Sequence, residues 1–229
     1  MASYAARRIA QFLPTMFVVS ILVFAMVRAI PGNPADVLMG PQATPDQVDA
    51  LEQSMGFNRP VWSQYAIWIR DVMQGDFGNS WINRFPVAQL ITMKVGATVA
   101  LALGSLLVAI LIAVPVGILG ALRAGTWVER VTSLYTSIAL GIPTFWLGIL
   151  LILLFSLHLK WVPPSGYVPF MEQPAASLEM LILPSVTLGV YLSAIFARFI
   201  KAAVVDVLRQ DFVRTAYAKG LTQHSVVVR

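Results

Sequence analysis

The sequence contains no cysteine. That excludes a disulfide framework and any thiolate metal site. Its two histidines, His158 and His224, lie far apart, and neither has another metal-ligating residue beside it. Charge is scarce, at 12% of 229 residues, about half the share of a soluble domain. No Asp, Glu, Lys, Arg or His sits in the middle of an apolar run, where an ion-coupled carrier buries its relay. A nucleophile–base pair or metal cluster at membrane depth is likewise not visible. The phosphate-cradling pattern G-x-x-x-x-G-K-[ST] is missing, so ATP should not bind by that route. No cofactor and no metal are called for. The net charge of +5 comes mostly from basic residues that flank apolar runs. Membrane topology puts them there, so nucleic acid is not an expected partner.

What the sequence has in quantity is apolar length, with 58% hydrophobic residues. A helix needs about 20 apolar residues to cross a bilayer. Four runs qualify: Ile9–Ala29, Val95–Ala121, Val131–Leu157 and Leu178–Ala197. The first follows Arg7 and Arg8, as a signal peptide would. Its core is too long for an h-region and lacks a small-x-small cleavage site, so it reads as a retained span. The expected fold is an all-α, polytopic transmembrane helical bundle. The loops sort by charge. The N-terminus (1–8), the 122–130 loop and the tail (198–229) hold ten basic residues against Glu129, Asp206 and Asp211. The 30–94 and 158–177 loops, with the span ends beside them, hold six basic residues against eight acids. The positive-inside rule then puts both ends of the chain in the cytoplasm.

Three spans carry small residues at a spacing of four: Ala109, Ala113, Gly117 and Ala121; Ser133, Ser137 and Gly141; Ser185, Gly189, Ser193 and Ala197. Lipid offers helices no hydrophobic drive to associate, so close backbone approach along such stripes is what packs them. Each span also holds one proline, Pro14, Pro115, Pro143 and Pro184, a residue that removes a helical hydrogen bond and favours a kink.

Residues 30–94 are too many for a plain connector. Thr44-Pro-Asp-Gln47 reads as a helix start, with Thr as N-cap and Gln three residues on. Val48, Leu51 and Met55 share a face, and Gly56 can end the helix. A second amphipathic stretch runs from about Pro60 to Gln74. Trp62, Tyr65, Trp68 and Trp81 suit the headgroup belt. The segment is expected to be an extracytoplasmic helical cap, with its acids (Asp36, Asp46, Asp49, Glu52, Asp71, Asp76) on a solvated face.

After the fourth span the helical pattern continues but turns amphipathic. Asp211 looks like a new N-cap. Phe212/Val213, Ala216/Tyr217 and Leu221 then form an apolar stripe, while Asp211, Arg214, Thr215, Ala218 and Lys219 face away. Gly220 sits where a helix C-terminus wants it. Such a short, glycine-stopped helix suits docking into a protein cleft.

The stretch Asp211-Phe-Val-Arg-Thr-Ala-Tyr-Ala-Lys-Gly220 resembles the EAA loop of ABC importer membrane subunits. Arg214 stands where many relatives have Glu, a form typical of the dipeptide, oligopeptide and nickel permease branch. Ala29–Asp36, Gly75–Ser80, Phe85–Ile91, Gly141–Gly148 and Trp161–Tyr167 are similar to that branch too, in family order, so the resemblance covers essentially the whole chain. It is closest to the first of the two permease subunits.

The resemblance implies a type I importer permease fold with about six spans, in the bacterial cytoplasmic membrane. It also implies a homologous second permease subunit, two ATP-binding subunits and an extracytoplasmic substrate-binding protein. The chain would be a transport subunit and not an enzyme, ending inside the EAA loop as a fragment that lacks the last two spans. The ATPase-coupling residues would be Asp211, Phe212, Arg214, Thr215, Ala216, Lys219, Gly220 and Leu221. Phe212 and Ala216 are expected as contacts and Gly220 as the turn that sets their angle. No motif names the substrate-lining residues. Peptides are the expected cargo. A nickel or other small-solute importer shares every motif. An ion-coupled carrier, the mechanistic rival, predicts buried ionisable residues.

Overall fold

The structure, a computed structural model, describes residues 2–29, 34–40, 43–80, 82–222 and 225. Trp81, His224, Arg229 and the Ile30–Asn33 part of the outer motif lie outside the described residues. The chain divides into two compact units, Met1–Thr92 and Met93–Arg229.

In the first unit, α1 (Ala2–Ala29) contains a 20-residue apolar stretch, Ala10–Ala29, long enough to cross a membrane. Pro14 stays inside the helix. After α2 (Pro34–Met39), α3 (Pro45–Met55) starts as its sequence dictates. The Thr44 N–H donates to Gln47 Oε1 at 3.1 Å, and Gly56 closes the helix with φ 70°. The next helix, α4 (Val61–Met73), packs against α1. Tyr65, expected in a headgroup belt, turns onto α1 instead. Its hydroxyl shares a 2.8 Å hydrogen bond with Ser20, and its ring meets Phe17 and Phe24 edge-on. A tyrosine beside lipid gains by finding such a partner for its hydroxyl. Trp68 stacks at a tilt on Phe24, and the Arg28 guanidinium lies 4.7 Å from the Phe57 ring centre. Trp62 remains exposed. Beyond α4, the Gly75–Ser80 motif is a turn: Gly75 and Gly78 take left-handed φ, and the Gly78 N–H donates to Asp76 Oδ1 at 2.8 Å.

The long helix α5 (Val87–Leu122) starts in the first unit and runs on through the second. Its 36 residues extend about 54 Å, well beyond the expected 95–121 span. In the second unit, α8 (Pro174–Leu208) carries the fourth apolar run without a break from its span into the amphipathic continuation. Pro115 and Pro184 sit inside these two helices, which stay continuous.

The small-residue stripes of α5 and α8 are where the backbones meet. Ser105, Ala109, Ala113, Gly117 and Ala121 on α5 are buried, as are Ser185, Gly189, Ser193 and Ala197 on α8. A Cβ on Gly189 would lie 2.6 Å from a Val108 methyl, and one on Gly117 2.9 Å from the Ala197 carbonyl oxygen. Gly104 faces Ser185, Gly117 faces Ile200 and Gly120 lies near Lys201, so α5 and α8 run parallel. The third stripe behaves otherwise. Ser133, Ser137 and Gly141 are exposed, and nothing lies within 4 Å of a Cβ on Gly141. On that helix, α6 (Trp127–Gly141), Thr136 and Ala139 are the buried pair instead, and Tyr135 meets Ser193 of α8 at 2.6 Å.

The run 131–157, read as one span, is two helical arms bent by 97°. The break is at Ile142-Pro143. Ile142 is extended (φ −81°, ψ 124°), as the clash with a following proline ring demands. A glycine two residues ahead of the proline weakens the preceding turn, which none of the other three prolines has. After the break come α7 (Thr144–Leu151) and a π-helical segment, Ile152–His158. Among the described residues, three helices are long and apolar enough to cross a membrane, or four if the bent pair counts as one span. Large apolar side chains face outward along α1, α5 and α6, as helices solvated by lipid require.

Candidate coupling site

The arithmetic of α8 defines where the site can be. About 20 residues cross a bilayer, and the helix has 35. The surplus past Ala197 is a rigid rod of some 15 Å leading to α9 (Asp211–Ala218) through Arg209 and Gln210 alone.

Gln210, not Asp211, is the N-cap. It is extended (φ −76°, ψ 153°), and its carbonyl accepts the N–H groups of Val213 and Arg214 at 3.1 and 3.3 Å. Asp211 is therefore the first helical residue. There its carboxylate still favours the positive N-terminal end of the helix dipole, and it pairs with Arg214 at 3.5 Å. Both side chains are exposed, so that pair adds little stability. Thr215 Oγ1 donates back to the Asp211 carbonyl at 2.9 Å.

The helix ends in a Schellman motif. The Leu221 N–H donates to the Ala216 carbonyl at 3.2 Å, and the Gly220 N–H to that of Tyr217 at 2.9 Å. Lys219 is the C-cap, and Gly220 takes φ 82°. Both otherwise orphaned carbonyls are satisfied, and the left-handed residue is the one type that adopts that conformation without strain.

The apolar stripe divides. Val213 points inward and is 2% exposed, while Phe212 is 62% exposed and Tyr217 and Leu221 also face out. Ala216 is half-buried. So Val213 anchors α9, and Phe212, Tyr217 and Leu221 are exposed apolar side chains around that anchor. Of the eight residues read from the sequence, Asp211, Arg214 and Thr215 are linked to one another through the first turn, and Ala216, Gly220 and Leu221 through the last. Phe212 and Lys219 stand on the open surface. Val213 was part of the apolar stripe, but periodicity alone cannot separate the inward residue from its outward neighbour.

A second feature had no signal in the sequence at all. Lys201 on the α8 rod donates to Glu129 Oε1 at 2.6 Å, across 72 residues. Glu129 Oε2 accepts the Gly125 N–H, also at 2.6 Å. Both side chains are about 30% exposed.

Comparison with known proteins bears on all of this. The family described as "Binding-protein-dependent transport system inner membrane component" matches residues 113–229, and its N-terminal counterpart matches residues 1–102. The chain is 37% identical over 229 residues to the "Glutathione transport system permease protein GsiC" of Escherichia coli (strain K12) and to that of Shigella dysenteriae serotype 1. It is 36% identical to that of Shigella flexneri serotype 5b. In each case the match covers 100% of this chain and 72% of the relative. A family defined by binding-protein-dependent transport implies a substrate-binding protein and ATPase partners, and a multi-pass location in the inner membrane. With its apolar helices, stripe-packed second unit and two family matches, the chain belongs to the binding-protein-dependent transport system inner membrane components, as an ABC importer permease of the dipeptide and oligopeptide branch and a transport subunit, not an enzyme.

Proposed function

We propose that the chain is the first permease subunit of an ATP-driven importer of small peptides, and that α9 is the helix through which the ATPase drives it. The observation that carries the coupling role is the form of α9. It is an eight-residue helix held by one buried valine, stopped by a left-handed glycine and carrying exposed apolar side chains beside the anchor. Exposed apolar side chains on so short a helix suit a protein cleft.

Two observations support the peptide cargo: the branch resemblance along the chain, and relatives whose names specify glutathione, itself a small peptide. The charge asymmetry of the loops supports a cytoplasmic N-terminus and a cytoplasmic α9. It likewise supports an outer position for segment 30–94, where α3 and α4 would meet the binding protein. A homologous second permease subunit completes the path.

The test is uptake of labelled di- and tripeptides and of glutathione by proteoliposomes holding the assembled transporter, its binding protein and internal ATP. Saturable uptake that needs both ATP and the binding protein is expected. ATP-dependent uptake of nickel with none of any peptide would overturn the cargo assignment. Uptake driven by an ion gradient without ATP would overturn the mechanism.

A further inference from the structure

Three helices converge where α8 leaves its span. On α5, a Cβ at Gly120 would lie 2.9 Å from Thr132 Oγ1 of α6 and 3.5 Å from Lys201 Cδ of α8. One turn away, Glu129 in the first turn of α6 takes the Lys201 ammonium on one carboxylate oxygen and the Gly125 N–H on the other, each at 2.6 Å. The Thr126 hydroxyl donates to the Arg123 carbonyl at 2.6 Å and tightens the same loop. Glu129 thus has both oxygens engaged, one by the rod and one by the loop that joins α5 to α6. It is the only acid in the 122–130 loop, and among the described residues Lys201–Glu129 is the ion pair that bridges two helices.

We propose that Glu129 and Lys201 form a clasp that makes α6 move with α8 when α9 is pushed, so that they act as positioning residues for transport. The inference rests on the coupling role given to α9. Its geometry is direct. A force on α9 reaches α8 through two residues, and the clasp lies about 10 Å along the rod from Leu208, by helical rise. Glycine at position 120 leaves no side chain to hold the three helices apart there, and at this end the charge pair ties α6 to α8, as the Tyr135–Ser193 hydrogen bond does further along. Beyond it, the break at Ile142-Pro143 separates α6 from α7. The clasp therefore hands the movement to α6, and the 97° joint lets α7 respond differently.

The test uses Glu129→Lys, Lys201→Glu and the double exchange in the assembled transporter. Each single variant puts like charges face to face, so peptide uptake should fall by about three- to thirtyfold. Basal ATP hydrolysis should persist, which raises the ATP consumed per peptide. The double exchange restores the pair in reverse and should recover most of the lost uptake. The Gly125 link is not restored, because lysine cannot accept that N–H. Wild-type ATP-to-peptide ratios in both single variants would overturn the proposal, as would a double exchange no better than the singles. Spin labels at exposed Val131 and Val207 give a readout that needs no peptide. Their separation should stay constant between ATP-bound and nucleotide-free wild type and change between those states in Glu129→Lys. A separation that changes in wild type overturns the clasp. A constant one, in a transporter that imports no peptide, refutes the cargo and leaves the clasp standing.

Discussion

Replacing Gly220 with valine isolates the role of the turn. The residue has φ 82°, and no heavy atom lies within 4 Å of where a Cβ would stand. A side chain there therefore meets nothing, and the cost is purely that of the backbone. An L-residue in the left-handed region costs about 1–2 kcal/mol, and a β-branched one falls toward the top of the roughly 1–3 kcal/mol range for strained residues. At about 2 kcal/mol the population with the native turn drops some thirtyfold relative to alternatives, since 1.4 kcal/mol is about a factor of ten. An eight-residue helix has little intrinsic stability to offset that. Asparagine tolerates this φ better than alanine, so activity should rank Gly above Asn, Asn above Ala, and Ala above Val. Membrane insertion, followed by protease protection and yield in the membrane fraction, should be equal in all four. ATP-driven uptake and the ATP consumed per peptide should follow the ranking. Wild-type uptake by Gly220→Val would refute the argument. A ranking in which asparagine is worst would refute the backbone explanation.

Three further outcomes follow from the packing. Val213→Ala removes two methyl groups from the buried anchor, so it should loosen α9 by about 1–3 kcal/mol and speed amide exchange in residues 211–218, leaving the spans unaffected. Gly189→Ala forces a methyl against Val108 and the Ser105 carbonyl and should destabilise the detergent-solubilised protein by about 1–3 kcal/mol through overpacking. Gly141→Ala, in open space, should be neutral in the same thermal melt. A cysteine at exposed Trp62 should cross-link to the binding protein in at least one nucleotide state; failure in every state would count against the outer segment as its docking face.

Much of this architecture is legible in the residues because local rules and packing agree. Thr44, Gln47 and Gly56 bound α3 by capping chemistry alone. The α5 and α8 stripes are read correctly because only small side chains let two backbones come that close. Where several solutions satisfy the same pattern, the sequence is silent. Ser133, Ser137 and Gly141 have the same spacing as the packed stripes, yet α6 turns that face outward, because Tyr135 and Glu129 bind α8 from another side. Four prolines look alike, but Pro143, with Gly141 ahead of it, is the one that breaks a helix. The cap moves from Asp211 to Gln210, whose side chain makes no cap hydrogen bond, so the side-chain preference that singles out Asp211 has nothing to read there. Nothing in the spacing of Glu129 and Lys201 announces that they meet, because the contact depends on the parallel course of α5 and α8. In α9 the stripe is visible, but its division into an inward Val213 and an outward Phe212 depends on how the rod delivers the helix.

The central claim is that the exposed apolar side chains of α9, Phe212 first among them, touch the motor. The most direct measurement is site-specific cross-linking from a cysteine at position 212, introduced by Phe212→Cys in the assembled transporter. The account predicts a cross-link to the ATPase subunit whose yield changes between nucleotide-free and ATP-bound states, with none from a cysteine at exposed Trp62. No cross-link from position 212 to the ATPase in any nucleotide state, in a complex that still hydrolyses ATP and imports peptide, would contradict it.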